Sequence, residues 1–95
     1  MIDLCDIRQK LGDAACYEQL AEEASELSHA ALKMARVLRG ENPTPVDYET
    51  AKRNVIEEYS DVNVAARALM IFPDELTMQR KVERWLNRIE EDEDD

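Results

Sequence analysis

Gln19-Leu20-Ala21-Glu22-Glu23-Ala24-Ser25-Glu26-Leu27 and Ile56-Glu57-Glu58-Tyr59-Ser60-Asp61-Val62 are two runs of one design. Each holds a pair of adjacent glutamates and a further acid three residues on, set among apolar residues at three- and four-residue steps. Acids three apart lie on one face of an α-helix, so Glu23/Glu26 and Glu58/Asp61 each project two carboxylates in nearly the same direction. Like charges so placed repel. A solvated helix usually offsets that with Lys or Arg three or four residues away. Glu22, Glu23, Glu26, Glu58 and Asp61 have no such neighbour, whereas Glu57 has Arg53. Glu57 therefore reads as a surface ion pair, and the other five as candidates for an external cation.

Outward from these runs the chain reads as four helices. Leu4, Ile7 and Leu11 mark a short first helix, stopped at Gly12-Asp13, where Asp13 can cap the next. The second runs to about Arg39, with a seam of Leu20, Ala24, Leu27, Ala31, Met34 and Leu38, and ends at Gly40. Asn42-Pro43-Thr44-Pro45 cannot continue a helix, because proline lacks the donor and restricts its predecessor. The third begins near Val46 or Asp47 with the seam Val55, Tyr59, Val62, Ala66 and Leu69. Phe72-Pro73-Asp74-Glu75 is a turn into a fourth helix carrying Leu76, Val82, Trp85, Leu86 and Ile89. No stretch carries a strand signal, so the fold class is all-α, with a helical domain over residues 1–89 and an acidic tail over 90–95.

With about 100° per residue, Glu23 and Glu58 fall about 60° to one side of their seams, and Glu26 and Asp61 about 120° to that same side. Packed as an antiparallel pair with axes roughly 8–10 Å apart, the two helices can converge their flanking carboxylates on one ion. Ala30 and Ala65 take the next step beside each acidic pair, where a small side chain leaves room.

Ninety-five residues make one small domain with a modest core, so a homodimer or homotetramer is expected to complete the bundle. Net charge is −10, from 22 acids against 12 bases, and the last six residues are all acidic. Setting aside those six and the six acids of the two motifs, 10 acids face 12 bases, so the negative excess of the body resides in the motifs. No basic stripe offers a nucleic-acid surface. Cys5 and Cys16 form neither a disulfide framework nor a metal doublet, and Met1-Ile2-Asp3-Leu4-Cys5-Asp6 is no signal peptide, which points to the cytoplasm. The run Val62 to Phe72 is interrupted by Asn63 and Arg67 and falls short of the roughly 20 apolar residues of a membrane span.

Carboxylate oxygens without soft ligands suit Mg²⁺ or Mn²⁺, ions that keep several waters and are completed by substrate phosphates. On this chemistry the motifs Glu22-Glu23-x-x-Glu26 and Glu57-Glu58-x-x-Asp61 resemble those of the MazG-like, all-α nucleoside triphosphate pyrophosphohydrolases. The resemblance extends from about Gln19 through the Asn-Pro-Thr-Pro loop to Arg88. It implies hydrolysis of a nucleoside triphosphate to monophosphate and pyrophosphate, with Mg²⁺ on Glu23, Glu26, Glu58 and Asp61 and with Glu22 as an auxiliary acid or water-orienting base. By the same analogy Lys81, Arg84 and Arg88 face the phosphates. Phosphoribosyl-ATP pyrophosphohydrolases and dimeric dUTPases share the metal layout, so base and sugar stay open.

Other readings compete. Glu26-Leu27-Ser28-His29 is the Glu-x-x-His of di-iron bundles, but that site needs a second copy and the chain has a single histidine. His29 then reads as a partly buried hydrogen-bonding residue or a neighbour of substrate. Trp85 reads as a core or subunit-interface anchor rather than a base-stacking platform. The alternative to an enzyme is a non-catalytic helical interaction module of the same ancestry, and the five acids without basic neighbours weigh against it.

Overall fold

The α-helices stop and start where the capping chemistry sits. A computed structural model describes residues 3–40 and 46–94, of Asp94 the backbone only. Four helices follow one another: α1 over Leu4–Leu11, α2 over Asp13–Arg39, α3 over Tyr48–Ala68 and α4 over Glu75–Asp94. Among the described residues there is no strand, and no helix is long and apolar enough to cross a membrane. The Asn42-Pro43-Thr44-Pro45 turn lies outside the described residues. The acidic run Glu90 to Asp94 continues α4 as helix.

Asp3 and Asp6 cap α1 reciprocally, each carboxylate accepting the other residue's backbone N–H, at 3.1 and 3.2 Å. Gly12 separates α1 from α2 with φ +87° and ψ 159°, a conformation in practice reserved for glycine. Across that break Arg8 donates to Asp13 through Nε at 2.8 Å and Nη2 at 3.2 Å. Asp47 caps α3 by accepting the Thr50 N–H at 2.8 Å, and Asp74 caps α4 by accepting the Thr77 N–H at 2.9 Å.

The C-terminus of α3 is closed by two further bonds. The N–H of Met70 reaches the Arg67 carbonyl and that of Ile71 the Ala66 carbonyl, both at 2.9 Å, with Met70 left-handed at φ +58°. This pairing is the glycine-type helix stop, here made by a methionine. It turns the chain away from the α2–α3 pair before Pro73 and α4. Arg8 Nη1 lies 3.4 Å from the Leu69 carbonyl, tying α1 to the same corner.

α2 and α3 pack as an antiparallel hairpin, with Cys16 and Gln19 near the start of α2 sharing a cleft with Ala65 and Ala68 near the end of α3. α1 leans on both. Among the described residues α4 packs against none of the other three helices. The chain therefore extends over 51 × 38 × 20 Å. Its radius of gyration is 17.2 Å, against about 12 Å for a compact domain of this length.

Among the described residues the buried apolar ones are Cys16, Ala51, Ala65, Ala68 and Leu69, and no large side chain is fully enclosed. Alanines at the contact let the two backbones approach closely, and the contact face is rotated from the expected seams toward the acids. Leu20, Leu27 and Met34 are half-buried while Ala24, Ala31 and Leu38 of the same seam are exposed, Leu38 at 66%. On α3, Val55, Val62 and Ala66 are half-buried and Leu69 is buried, but Tyr59 is exposed. An apolar stripe wider than one neighbour can cover leaves half of itself in water.

Candidate metal centre

The rotation that exposes half of each seam brings the acids to the contact. Glu23 on α2 and Glu58 on α3 are half-buried, and each offers a carboxylate oxygen that lies within 4.8 Å of the other and of one from Asp61. Asp61 is exposed one helical turn beyond Glu58. Among the described residues no Lys or Arg forms an ion pair with Glu22, Glu23, Glu26, Glu58 or Asp61. The neighbour of Glu23 is neutral: Gln19 donates its side-chain amide to Glu23 Oε1 at 2.8 Å. Only the first of the two lone-pair sets of Glu23 is used in this bond, so the other oxygen stays open to a cation.

The electrostatic cost shows at Glu58. Its carboxyl is pushed above the ordinary carboxylate range, first by desolvation and then by the charges of Asp61, Glu26, Glu23 and Glu57. Glu26 thus acts on the cluster through its field but stands outside the close triad. It lines a second hollow on the surface with Glu58, His29, Ala30 and Lys33. The six motif acids are placed unequally. Glu23, Glu58 and Asp61 converge, Glu26 borders them, and Glu22 is exposed. Glu57 is exposed, and among the described residues it forms no ion pair with Arg53, the partner expected from spacing.

His29 is exposed rather than partly buried, and it lies within that hollow. Lys33 is half-buried there and was not singled out by the spacing rule, being seven residues from Glu26 and so two turns away along the same face. Gln19 escaped for a different reason: an amide four residues from Glu23 is a partner without being a charge. Lys81, Arg84 and Arg88 are exposed on α4, which touches neither acid-bearing helix, so within one chain the packing does not bring them to the triad.

Beside the triad lies a cleft of about 200 Å³ with an apolar lining from Ile7, Leu11, Val64, Ala65 and Ala68. Glu23 and Asp61 line it too. Ala65 is the small residue expected to leave room, and Ala30 does the same in the neighbouring hollow.

Three carboxylates from two helices form a hard-oxygen donor set of triple negative charge, open to solvent on the Asp61 side. Adjacent ligands on an octahedral ion with bonds of 2.0–2.1 Å stand about 3 Å apart, and opposite ones about 4 Å. The three oxygens lie within 4.8 Å of one another, a separation of the same order. The residues present therefore fit Mg²⁺ or Mn²⁺, with positions left for water and substrate oxygens. Compared with known proteins, the chain matches no family model, no curated protein and no solved structure, so the reading of this centre rests on its own geometry.

Proposed function

We propose that this chain is a Mg²⁺-dependent hydrolase of nucleoside triphosphates, converting a triphosphate and water to monophosphate and pyrophosphate. The observation that carries the reading is the convergence of Glu23, Glu58 and Asp61 from two helices with, among the described residues, no Lys or Arg in an ion pair with them. A structural acid cluster would be relieved by Lys or Arg; this one is left for an ion.

When bound, Mg²⁺ supplies charge neutralisation on the phosphates and a water of lowered pKa. The protein's own part is to hold Glu23, Glu58 and Asp61 in place, with Gln19 fixing the Glu23 carboxylate and Glu26 completing the acid field. Glu22 is exposed and free to take the proton from the attacking water. Water attacks the α-phosphorus, the bond between that phosphorus and the bridging oxygen breaks, and pyrophosphate leaves with the bonding pair. The apolar cleft beside the acids takes the nucleoside, its Ile7 and Leu11 walls excluding water from one side of the base. Lys81, Arg84 and Arg88 serve as the cationic side of the phosphate site, and the working form is a homo-oligomer.

The test is a panel of ribo- and deoxynucleoside triphosphates with Mg²⁺, the products being separated chromatographically. Monophosphate and pyrophosphate in equal amounts are expected. Orthophosphate as the primary product, or no turnover across the panel, defeats the proposal. In the second outcome the non-catalytic interaction module becomes the better reading, favoured by the large exposed apolar surface of α4.

A further inference from the structure

A single side chain carries the hydrogen bonding of α1 to the rest of the chain. The eight residues of α1 include none that is buried, and a helix this short is marginal in water by itself. Gly12 breaks it from α2. The Gly12 N–H closes α1 on the Arg8 carbonyl at 2.8 Å, and the Gly12 carbonyl accepts the Cys16 N–H at 3.2 Å to open α2. Rotation about φ and ψ of Gly12 carries its N–H with α1 and its carbonyl with α2, so it breaks neither bond. The joint is a hinge.

Among the described residues, every hydrogen bond from α1 across that hinge comes from the Arg8 side chain. Nε and Nη2 grip both oxygens of Asp13, in the first turn of α2, at 2.8 and 3.2 Å. Nη1 lies 3.4 Å from the carbonyl of Leu69, the cap of α3. A single exposed ion pair contributes little, but a two-pronged one with a third contact fixes direction as well as distance.

What α1 supplies in this position is a wall. Ile7 and Leu11 close one side of the cleft whose other walls include Cys16, Glu23, Asp61 and Ala65. Without α1 that cleft is an open groove on the hairpin. Leu11 lines it and is yet 58% exposed, an apolar face that a flat ring can cover. Glu23 and Asp61 belong both to the cleft and to the acid triad, so a molecule with its phosphates at the triad has its next group against Ile7 and Leu11.

We propose that Arg8 is a positioning residue for the nucleoside: its fork latches α1 across the Gly12 hinge and so holds Ile7 and Leu11 as the wall of the cleft. The inference rests on the proposed function, in which this cleft seats the nucleoside. Arg8 acts through α1 and not on the substrate. The effect is reciprocal, because a nucleoside packed on Ile7 and Leu11 holds α1 down as Arg8 does.

The chain carries its own reporters. Cys5 on α1 is exposed, and Cys16 in the cleft is buried. Lys10 lies between them, so trypsin places the two thiols in separate peptides. The experiment follows alkylation of both cysteines by iodoacetamide with mass spectrometry in the parent, Arg8→Ala and Arg8→Lys, each below its melting transition. It is repeated with Mg²⁺ and the α,β-methylene analogues of the ribo- and deoxynucleoside triphosphates, and with Mg²⁺ and inorganic tripolyphosphate. KM and kcat are measured on the triphosphate that is turned over best.

In the parent Cys16 should react at least about tenfold more slowly than Cys5. Arg8→Ala should speed Cys16 several-fold and leave Cys5 unchanged. Arg8→Lys should fall between, since an ammonium keeps the charge but cannot span Asp13 and the Leu69 carbonyl as a fork does. At least one analogue should slow Cys16 in the parent, whereas tripolyphosphate, which lacks the nucleoside, should not. In Arg8→Ala KM should rise several-fold with a smaller change in kcat, and inhibition by tripolyphosphate should keep its strength.

Equal Cys16 rates in the parent and Arg8→Ala overturn the proposal, as does an unchanged KM in an active Arg8→Ala. So does protection of Cys16 by tripolyphosphate equal to that by the analogues, because the phosphates alone then seat α1. If Arg8→Ala fails to fold, Arg8→Lys and analogue protection in the parent decide. Turnover with no dependence on Arg8 strikes this inference and leaves the proposed function standing. Absence of turnover with Arg8-dependent protection by an analogue strikes the reaction and upholds the seat, and absence of both strikes both.

Discussion

Glu23 and Glu58 stand on neighbouring helices with carboxylate oxygens within 4.8 Å of each other, and the hydrogen-bond donor to this pair is the amide of Gln19. Two carboxylates at this range, with Asp61 as a third, make the metal-free fold work against itself.

Glu58→Gln keeps the size and removes one charge and one ligand. With Mg²⁺ present, turnover should fall by more than about 100-fold, beyond what loss of a mere outer-sphere contact brings. The rise in melting temperature that Mg²⁺ gives the parent should disappear in the variant. Thermal melts with chelator and with Mg²⁺, run beside the activity assay, check both. An equal response to the ion in parent and variant would return these acids to an ordinary solvated face.

The raised Glu58 carboxyl fixes a direction with pH. Its folded-state value lies above the ordinary 4.5, so the folded state binds that proton more tightly than the unfolded chain does. The associated stability is fully present below about pH 4.5 and is lost as pH rises through the folded value. In chelator, the melting temperature of the parent should therefore fall relative to Glu58→Gln as pH is raised from about 4.5 toward neutrality. The caps act oppositely. Asp13 is held low by its hydrogen bond and charge interaction with Arg8, Asp47 by hydrogen bonds from the Thr50 backbone and side chain, and Asp74 by the Thr77 hydroxyl and N–H. Their contribution is present above the ordinary 3.8 and is lost as pH falls through their lowered values. A pH series of melts on parent and variant separates the two sets.

Two backbone positions should respond with opposite sign. At Gly12 no atom would meet an added Cβ within 4 Å, so Gly12→Ala costs only conformational strain. That cost is roughly 1–3 kcal/mol. At Met70 the left-handed cap conformation is already strained, so Met70→Gly should stabilise by up to about 1 kcal/mol after the greater freedom of glycine in the unfolded chain is subtracted. Denaturant melts at one fixed protein concentration measure both.

The basic face of α4 touches neither acid helix of its own chain, so under the proposed function it serves the phosphate site of a neighbouring copy. Arg84→Ala and Lys81→Ala should raise KM for the triphosphate several-fold with a smaller change in kcat. Specific activity of the parent should rise with protein concentration until assembly is complete. Kinetics independent of both substitutions would leave these residues as solvated surface.

The periodicity of the chain made the helix count and the stops at Gly12 and Gly40 legible, because each depends on residues within one turn, but Asp13, expected to cap α2, stands inside its first turn with its carboxylate turned to Arg8, and Gly12 takes the cap position. The same geometry predicted four converging acids, Glu23, Glu26, Glu58 and Asp61, of which Glu23, Glu58 and Asp61 come together while Glu26, at the same offset from its seam as Asp61, stays at the border. The roll of the hairpin was not legible. It is decided by alanines too small to show in a hydrophobic pattern, and it moved Ala24, Ala31, Leu38 and Tyr59 out of the contact. Nor could spacing reveal that α4 stands off: the same stripe reads alike whether its partner is in the chain or in another copy. Gln19 and Lys33 were hidden because one is a neutral partner and the other lies two turns from its acid.

Ala51, Ala65 and Ala68 act as a ruler. They are the buried residues of α3, and Ala65 stands one turn beyond Asp61 and two beyond Glu58. Where most domains set helix spacing with interlocking large side chains, here the single methyl group sets it, and with it the gap between opposing carboxylates. A larger residue at these positions would shift the axes by an ångström or more, a distance that a flexible surface absorbs and that a small octahedral ion does not. The geometry of the centre is thus recorded less in the acids themselves than in three side chains that have no chemistry of their own.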